Sequence, residues 1–123
     1  DRLAARLADM EGVVIPSRRQ EEFYVGSSIQ FRAEGLRRDQ IPALMAACAG
    51  RGVELKWFGD EEPKAFTSRY DSWKYIDDIP HLPGTLAVLE KTLDMRVPLT
   101  FDLEDCDLIA DIIADEVGDL MAA

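Results

Sequence analysis

The feature that most constrains this fold is a ten-residue stretch, residues 23–32, whose side chains alternate with a period of two. Small or polar side chains dominate one set of alternate positions. The other set holds Phe23, Val25, Ser27, Ile29 and Phe31. Such alternation predicts a β-strand in a sheet with one apolar face.

A helix and a second strand are predicted to follow this strand. Asp39 is a suitable N-cap, and Gly50 or Gly52 is a suitable stop. Between them, residues 40–49 carry an apolar stripe at helical spacing, formed by Ile41, Leu44, Met45 and Cys48. Residues 53–58 are the next strand. A right-handed crossover places the two strands parallel within one sheet, with the helix on one face.

The remaining segments predict further helices and short strands. A helix over residues 1–11 is followed by a short strand over 13–15. Thr85 is expected to cap a helix that carries Leu86, Leu89 and Leu93, and residues 95–99 are expected to form an edge strand because Pro98 lacks an amide proton. The predicted architecture is α+β, a small sheet of three to four strands with helices mainly on one face.

A C-terminal helix is predicted from Asp102, with Asp105 as the acid of a capping box. Its buried stripe is expected to comprise Cys106, Ile109, Ile112, Ile113, Val117 and Leu120. Residues 97–123 carry eight acids and no base, which accounts for most of the net charge of −10. The acidic side is either a solvated face or a docking face for a basic surface elsewhere in a larger protein. Such a field disfavours nucleic acid and anionic membranes as partners.

The 123 residues are expected to form a single domain of a cytoplasmic protein. No apolar run approaches the length of a membrane span, and no signal peptide is visible. Because the chain starts at Asp1 rather than at Met, we expect it to continue upstream. Cys48 and Cys106 form no CxxC pair and are interpreted as two buried thiols. No metal site is expected.

Aromatic residues concentrate in residues 53–75. Six of the ten rings of the chain lie there, so the stretch is either part of the core or the lining of a pocket or interface. Arg69 lies among them and suits bidentate recognition of a carboxylate or phosphate, although a structural ion pair with Asp71 is the alternative. No catalytic motif is present, and His81 is interpreted as an ordinary loop residue.

Several phrases, taken in order, resemble the C-terminal small domain of DegT/StrS-type aminotransferases, which are pyridoxal-phosphate enzymes of the aspartate aminotransferase fold. The phrases cover nearly all of the chain. They are Gly52-Val53-Glu54, Trp57-Phe58, Leu82-Pro83-Gly84-Thr85, Val97-Pro98-Leu99 and Leu103-Glu104-Asp105.

The resemblance implies that the chain is the C-terminal fragment of a longer aminotransferase, a homodimer when complete. The Schiff-base lysine and the phosphate cup of such enzymes belong to a large domain outside this chain, so no catalytic residue is expected here. The substrates implied are a keto compound and an amino-acid donor. The substrate-facing wall would comprise Trp57, Phe58, Ser68, Arg69 and Tyr70, turned toward the absent domain.

Two other functions stay open. The chain is alternatively a stand-alone, non-catalytic α+β module that binds a ligand or another protein. A third hypothesis is a purely structural role within an oligomer, in which the acidic helix forms the contact between subunits.

Overall fold

The computed structural model describes residues 1–64, 69–75 and 77–123. Within them, three strands form one antiparallel sheet: β1 (Ser28–Arg32), β2 (Lys56–Trp57) and β3 (Thr92–Arg96). The α-helices of this part are α1 (Arg2–Ala8), α2 (Ile41–Gly50), α3 (Pro83–Leu89) and α4 (Leu103–Ala122). Short 3₁₀ helices span Arg38–Gln40 and Tyr70–Ser72. The predicted α+β class is confirmed.

β3 lies at the centre of the sheet, in the order β1-β3-β2. It runs antiparallel to both neighbours, so β1 and β2 are parallel to each other, as the strand-helix-strand pattern predicts. The expectation of an edge strand over residues 95–99 is wrong. Asp94 interrupts the apolar pattern and conceals the strand in the sequence, while Pro98 follows the strand rather than lying within it.

β1 begins at Ser28, five residues later than its alternation predicts. Ser28 pairs with Arg96, the last residue of β3, and the Val97 amide donates one further hydrogen bond to the Ser27 carbonyl. Pro98 has no amide to continue the ladder. Gly26 also leaves the extended conformation, with φ of 77°. Residues 23–27 are therefore outside the regular sheet.

The core lies between one face of the sheet and the helices α1, α2 and α4. Cross-strand pairing places Phe31 beside Leu93 and Ile29 beside Met95, so these four apolar side chains share a face. The helices bury against it a set of residues that comprises Leu3, Leu7, Ile41, Leu44, Cys48, Ala110, Ile112, Ile113 and Val117. α3 contributes no buried residue. The predicted stripes of α2 and α4 are thus largely confirmed.

The N-terminal segment contains less regular secondary structure than predicted. α1 ends at Ala8, and the strand expected over residues 13–15 is a single antiparallel bridge between Val14 and Arg32. Gly12 adopts φ of 78° before that bridge, which favours glycine. Its carbonyl accepts a hydrogen bond from the Gly35 amide at 2.9 Å.

Helix starts show where local signals succeed and fail. Asp102 accepts a hydrogen bond from the Asp105 amide, and Asp105 in turn accepts one from the Asp102 amide, which confirms the capping box of α4. Asp39 does not cap α2, because it lies in a 3₁₀ turn and pairs with Arg37. Thr85 is inside α3, which begins at Pro83.

No helix in the described part of the chain is long and apolar enough to span a membrane.

Candidate functional site

Trp57, the first ring of the predicted wall, faces the interior of the domain. It lies on β2 and pairs with Leu93 across the sheet, and its side chain is only 8% exposed. The indole Nε1 donates a hydrogen bond to the Glu90 carbonyl at 2.8 Å. The Arg38 guanidinium lies 5.3 Å from the ring centroid. The expectation that this ring turns toward an absent domain is therefore wrong.

Tyr70 is also directed inward, with 8% of its surface exposed. Its hydroxyl accepts a hydrogen bond from the Leu82 amide at 2.6 Å and donates one to the Pro80 carbonyl at 3.2 Å. These bonds attach the 3₁₀ helix to the loop that leads into α3. Tyr70 thus holds the loop in place. The prediction that Tyr70 faces outward is wrong, as it is for Trp57, because the ring is buried against the rest of the domain.

Arg69 forms the ion pair that the sequence left as an alternative. Its Nε and Nη2 atoms donate to the two carboxylate oxygens of Asp71, at 3.1 and 2.6 Å. Nη1 lies 3.5 Å from a carboxylate oxygen of Glu61. The guanidinium is therefore oriented by two acids near the domain surface, and an incoming anion would have to compete with Asp71.

The remaining predicted wall residues are Phe58 and Ser68. The Phe58 amide donates to the Thr92 carbonyl at 3.0 Å, which continues the pairing of β2 with β3, and its side chain is half-buried. Ser68 lies outside the described residues. The structure therefore places Trp57 at the end of β2 with Phe58 directly after it, and Arg69 and Tyr70 together in one turn.

An acidic turn follows β2. The Lys64 ammonium lies 2.9 Å from the Asp60 carboxylate, and this hydrogen bond holds the pKa of Asp60 below its usual range. The Asp60 carboxylate also accepts a hydrogen bond from the Glu62 amide at 3.1 Å. The Asp60 carbonyl also accepts from the Arg69 amide at 3.1 Å, so this turn supports the segment that carries Arg69.

Asp94 is a buried carboxylate that the sequence reasoning missed. It lies in the middle of β3, on the face opposite Leu93 and Met95, and it is fully buried. Gln30 of β1 donates to its Oδ1 at 2.5 Å. Its Oδ2 has no hydrogen-bond partner among the described residues. An acid between two apolar residues was the available signal.

The acidic side of α4 is partly neutralised within the chain. Arg2 donates to both carboxylate oxygens of Asp107, at 2.8 and 2.9 Å, and Arg6 contacts both Asp107 and Asp111. Arg51 from the end of α2 pairs with Asp115 and Glu116. The acids therefore attach α1 and α2 to α4. The sequence predicts a solvated face or an external docking face, but not this role within the domain.

Two clefts adjoin the end of β3 and share Arg96 and Pro98. One, of about 420 Å³, is lined by Gly52, Val53, Glu54, Lys56, Met95, Arg96, Pro98, Phe101 and Ile109. The other, of about 540 Å³, is lined by Val25, Gly26, Ser27, Arg96, Val97, Pro98 and Leu99. Both lie within the size range of ligand or interface clefts.

The two cysteines are free thiols. Cys48 is buried, which raises its pKa to about 11, so it is a poor nucleophile at neutral pH. Cys106 is partly buried on α4. Within residues 1–64, 69–75 and 77–123, no group of three or more His, Cys, Asp or Glu side chains is arranged to hold a metal ion.

Comparisons of this chain with protein-family models, with curated proteins and with solved structures give no match.

Proposed function

We propose that the chain is the C-terminal small domain of a pyridoxal-phosphate-dependent aminotransferase of the DegT/StrS type, acting in the cytoplasm as part of a homodimer. In this proposal it forms part of the substrate-side wall of an active site. The large domain that carries the Schiff-base lysine is its principal partner. The substrates are a keto compound and an amino-acid donor, and neither nucleic acid nor a membrane is a partner.

The observation that carries the proposal is where the five resembling phrases fall in the fold. Each phrase lies at or next to the start or end of a described element, in chain order. Gly52 follows α2 with φ of 88°, and Leu82 is the N-cap of α3. Val97 directly follows β3, and Leu103 begins α4. The phrases therefore coincide with structural boundaries, as expected if the resemblance reflects a common architecture.

The burial of Trp57 and Tyr70 narrows the proposed roles of the wall residues. We assign these two rings to positioning: Trp57 holds β2 against the turn after α3, and Tyr70 holds the loop before α3. Phe58 and Arg69 remain the proposed substrate-side groups, with Arg69 as an anion clamp whose guanidinium a substrate anion would have to take over from Asp71. Ser68 is retained as a proposed neighbour of Arg69 on sequence grounds.

Two lysines of the chain do not fit a covalent cofactor anchor. A Schiff-base lysine needs an accessible free amine. The hydrogen bond to Asp60 raises the pKa of Lys64, which favours its ammonium form. Lys91 donates to the Glu34 carbonyl at 3.3 Å. We assign the cofactor to the large domain because the resemblance implies it there, and we assign no catalytic step to this chain.

The experiment that tests this function begins with the gene. Expression of the complete reading frame is expected to yield a protein that binds pyridoxal phosphate. Amino-acid donors are then screened for amino transfer by this protein. The 123-residue chain alone is expected to show no transaminase activity. Turnover by the isolated chain, or a complete reading frame of this length, would exclude the proposal.

A second candidate function is a non-catalytic interaction module. The observation that favours it is the exposed apolar surface at one end of the domain, where Phe23 is 93% exposed and Val25 is 82% exposed. Apolar side chains left in water at such levels and close together are typical of an interaction surface. This module would bind no pyridoxal phosphate even within the complete protein.

A further inference from the structure

The outer edge of β1 is only partly covered by the rest of the chain. At one end of the strand, the Val14 amide donates to the Arg32 carbonyl and the Arg32 amide donates to the Val14 carbonyl, each at 2.8 Å. At the other end, the Tyr24 hydroxyl donates to the Ser28 carbonyl. Gln30 lies between these two contacts, so the opening at this edge is centred on Gln30.

The main chain of Gln30 faces outward at this opening. The direction of main-chain hydrogen bonding alternates along a strand. The Ala33 amide donates to the Lys91 carbonyl at 3.0 Å, beside β3, so the odd-numbered residues of β1 face β3 and Gln30 faces away from it. In the part of the chain that the structure describes, neither the main-chain N–H nor the C=O of Gln30 forms a hydrogen bond. An unpaired strand edge is a template for another extended segment.

Pro16 explains why the chain leaves this position uncovered. Continuing the antiparallel register of the Val14–Arg32 bridge by two residues on each side places Pro16 opposite Gln30. Proline has no N–H to donate to the Gln30 carbonyl. Among the described residues, the Gln30 amide does not donate to the Pro16 carbonyl either. A separate extended segment with any other residue at this position would supply both the donor and the acceptor.

A cleft of about 300 Å³ adjoins the opening and contains an oriented arginine. Its lining includes Ile29 and Gln30 of β1 and, from the preceding segment, Arg18, Glu22, Phe23 and Tyr24. The guanidinium carbon of Arg18 lies 3.3 Å from the centre of the Tyr24 ring. Stacking on an aromatic face orients the guanidinium and leaves the N–H groups at its edge available for a carboxylate.

The guanidinium of Arg18 is weakly engaged within the chain. Its Nη1 lies 3.5 Å from the carboxylate of Asp1, whose side chain is 99% exposed. An exposed pair of this kind contributes little stability, so another carboxylate can replace Asp1. Glu22, the acid of the cleft, accepts a hydrogen bond from the Arg19 amide at 3.2 Å and is engaged in its own turn. Arg18 is therefore suited to bind an acidic group of a partner.

We infer that the outer edge of β1 binds an acidic peptide segment in extended conformation, which adds to the sheet as a short antiparallel strand. One residue of the peptide exchanges both main-chain hydrogen bonds with Gln30. Adjacent side chains of a strand point to opposite faces, and Ile29 lines the same cleft as Arg18. The acid of the peptide therefore belongs opposite Ile29, where Arg18 binds its carboxylate. The inference uses no residue of the proposed substrate wall and is independent of the aminotransferase function.

The first test is a titration with a defined peptide. The probe is acetyl-Thr-Val-Thr-Asp-Thr-amide, whose third residue is placed opposite Gln30 and whose aspartate is placed opposite Ile29. NMR of the isotope-labelled 123-residue chain is expected to give a dissociation constant of about 0.1–1 mM. N-methylation of the third residue should weaken binding at least about 10-fold, because the donor to the Gln30 carbonyl is lost. Asparagine in place of the aspartate should have an effect of similar size, because the carboxylate is lost.

The second test removes the cation from the protein. Arg18→Gln should weaken binding of the aspartate peptide at least about 10-fold, and this variant should no longer distinguish the aspartate peptide from the asparagine peptide. Arg19→Gln is the matched control, because Arg19 is the exposed neighbour and does not line the cleft. It should leave the dissociation constant unchanged. Circular dichroism establishes that both variants are folded, and the asparagine peptide tests the same contact on the wild-type chain.

The third test is amide hydrogen exchange at the strand edge. In the free chain the Gln30 amide should exchange much faster than the Phe31 amide, which faces β3. A saturating concentration of the aspartate peptide should slow exchange at Gln30 at least about 10-fold and leave Phe31 unchanged.

Four results would overturn the inference. They are no binding of the aspartate peptide up to about 5 mM, equal binding of the N-methylated peptide, an Arg19→Gln variant that is weakened as much as Arg18→Gln, and unchanged exchange at Gln30 in the presence of peptide. Protection of the Gln30 amide that rises with protein concentration alone would also overturn it, because a second copy of the chain would then occupy the edge.

Discussion

The indole Nε1 of Trp57 donates a hydrogen bond to the main-chain carbonyl of Glu90 at 2.8 Å. This bond joins β2, at the edge of the sheet, to the turn between α3 and β3. Trp57 also packs into the core with Leu93 beside it. The ring that the resemblance placed on an outward-facing wall is thus a connection between two segments that are 33 residues apart.

Replacing the indole is expected to destabilise the fold. Trp57→Phe removes the donor, leaves the Glu90 carbonyl without its partner and creates a small void, which together should lower the free energy of unfolding by about 2 kcal/mol. Urea denaturation followed by circular dichroism measures this change. Trp73→Phe is the control, because Trp73 is partly exposed, and it should change stability by less than about 0.5 kcal/mol. Equal effects at the two positions would contradict the structural role of Trp57.

Gly59 is expected to tolerate no side chain. A Cβ at this position would lie 2.6 Å from Trp57 Nε1 and 2.7 Å from the Glu90 Cα atom. Since a main-chain atom cannot give way easily, Gly59→Ala should lower the free energy of unfolding by about 1–3 kcal/mol. Gly118→Ala is the opposite case, because a Cβ there meets no atom within 4 Å and α4 is continuous around it. It should raise stability by about 0.5–1 kcal/mol. Thermal unfolding of both variants shows whether the signs differ as expected.

These positions illustrate how much of the fold was accessible from sequence. The Asp102–Asp105 capping box and the stripes of α2 and α4 were predicted because they depend on residues within a few positions of one another. The start of β1 was not predicted, because it is determined by the end of β3, its partner strand, which is distant in the sequence. Asp94 concealed β3 for a similar reason: its buried carboxylate accepts a hydrogen bond from Gln30, which lies 64 residues away.

The candidate site was less accessible still. The composition of residues 53–75 shows a concentration of rings and cations, but it does not show which of them face the core. Which rings face inward depends on partners such as the Glu90 and Pro80 carbonyls, whose proximity to Trp57 and Tyr70 no local pattern encodes. The Arg69–Asp71 pair was foreseen as an alternative because the two residues are close in sequence.

Neutralising Asp94 is expected to stabilise the protein. An Oδ2 atom without a hydrogen-bond partner in the described part of the chain is costly when the carboxylate is fully buried and charged. Asp94→Asn keeps an oxygen for the Gln30 amide and removes the buried charge. Because the desolvation of that charge costs more than the unpartnered amide N–H groups that replace Oδ2, the free energy of unfolding should rise by about 1 kcal/mol. Asp78→Asn, at an exposed position, should be neutral. Denaturant titration distinguishes these outcomes, and a loss of stability at Asp94 would show that its charge is needed.

The junction of α1 with α4 is expected to weaken in acid. The hydrogen bond from Arg2 holds the pKa of Asp107 below its ordinary value of 3.8. Since the folded state lowers this pKa, the carboxylate contributes stability above pH 3.8, and the contribution is lost as the pH falls from there through the folded-state pKa. The stability difference between the wild type and Asp107→Asn should therefore be constant near neutral pH and shrink below about pH 4.

Asp119→Asn is the matched control for this pH dependence, because Asp119 is on the same helix and exposed. Its difference from the wild type should stay small at every pH. Urea unfolding at a series of pH values provides the comparison. A constant difference for Asp107→Asn down to strongly acidic pH would contradict the role of the Arg2–Asp107 pair.

The most direct measurement of the proposed function is the visible absorption spectrum of the complete protein, purified with and without added pyridoxal phosphate. The proposal predicts a protein-bound cofactor band that changes when an amino-acid donor is added, and no such band for the 123-residue chain alone. A complete, folded protein that shows no cofactor band under either condition would contradict the proposal.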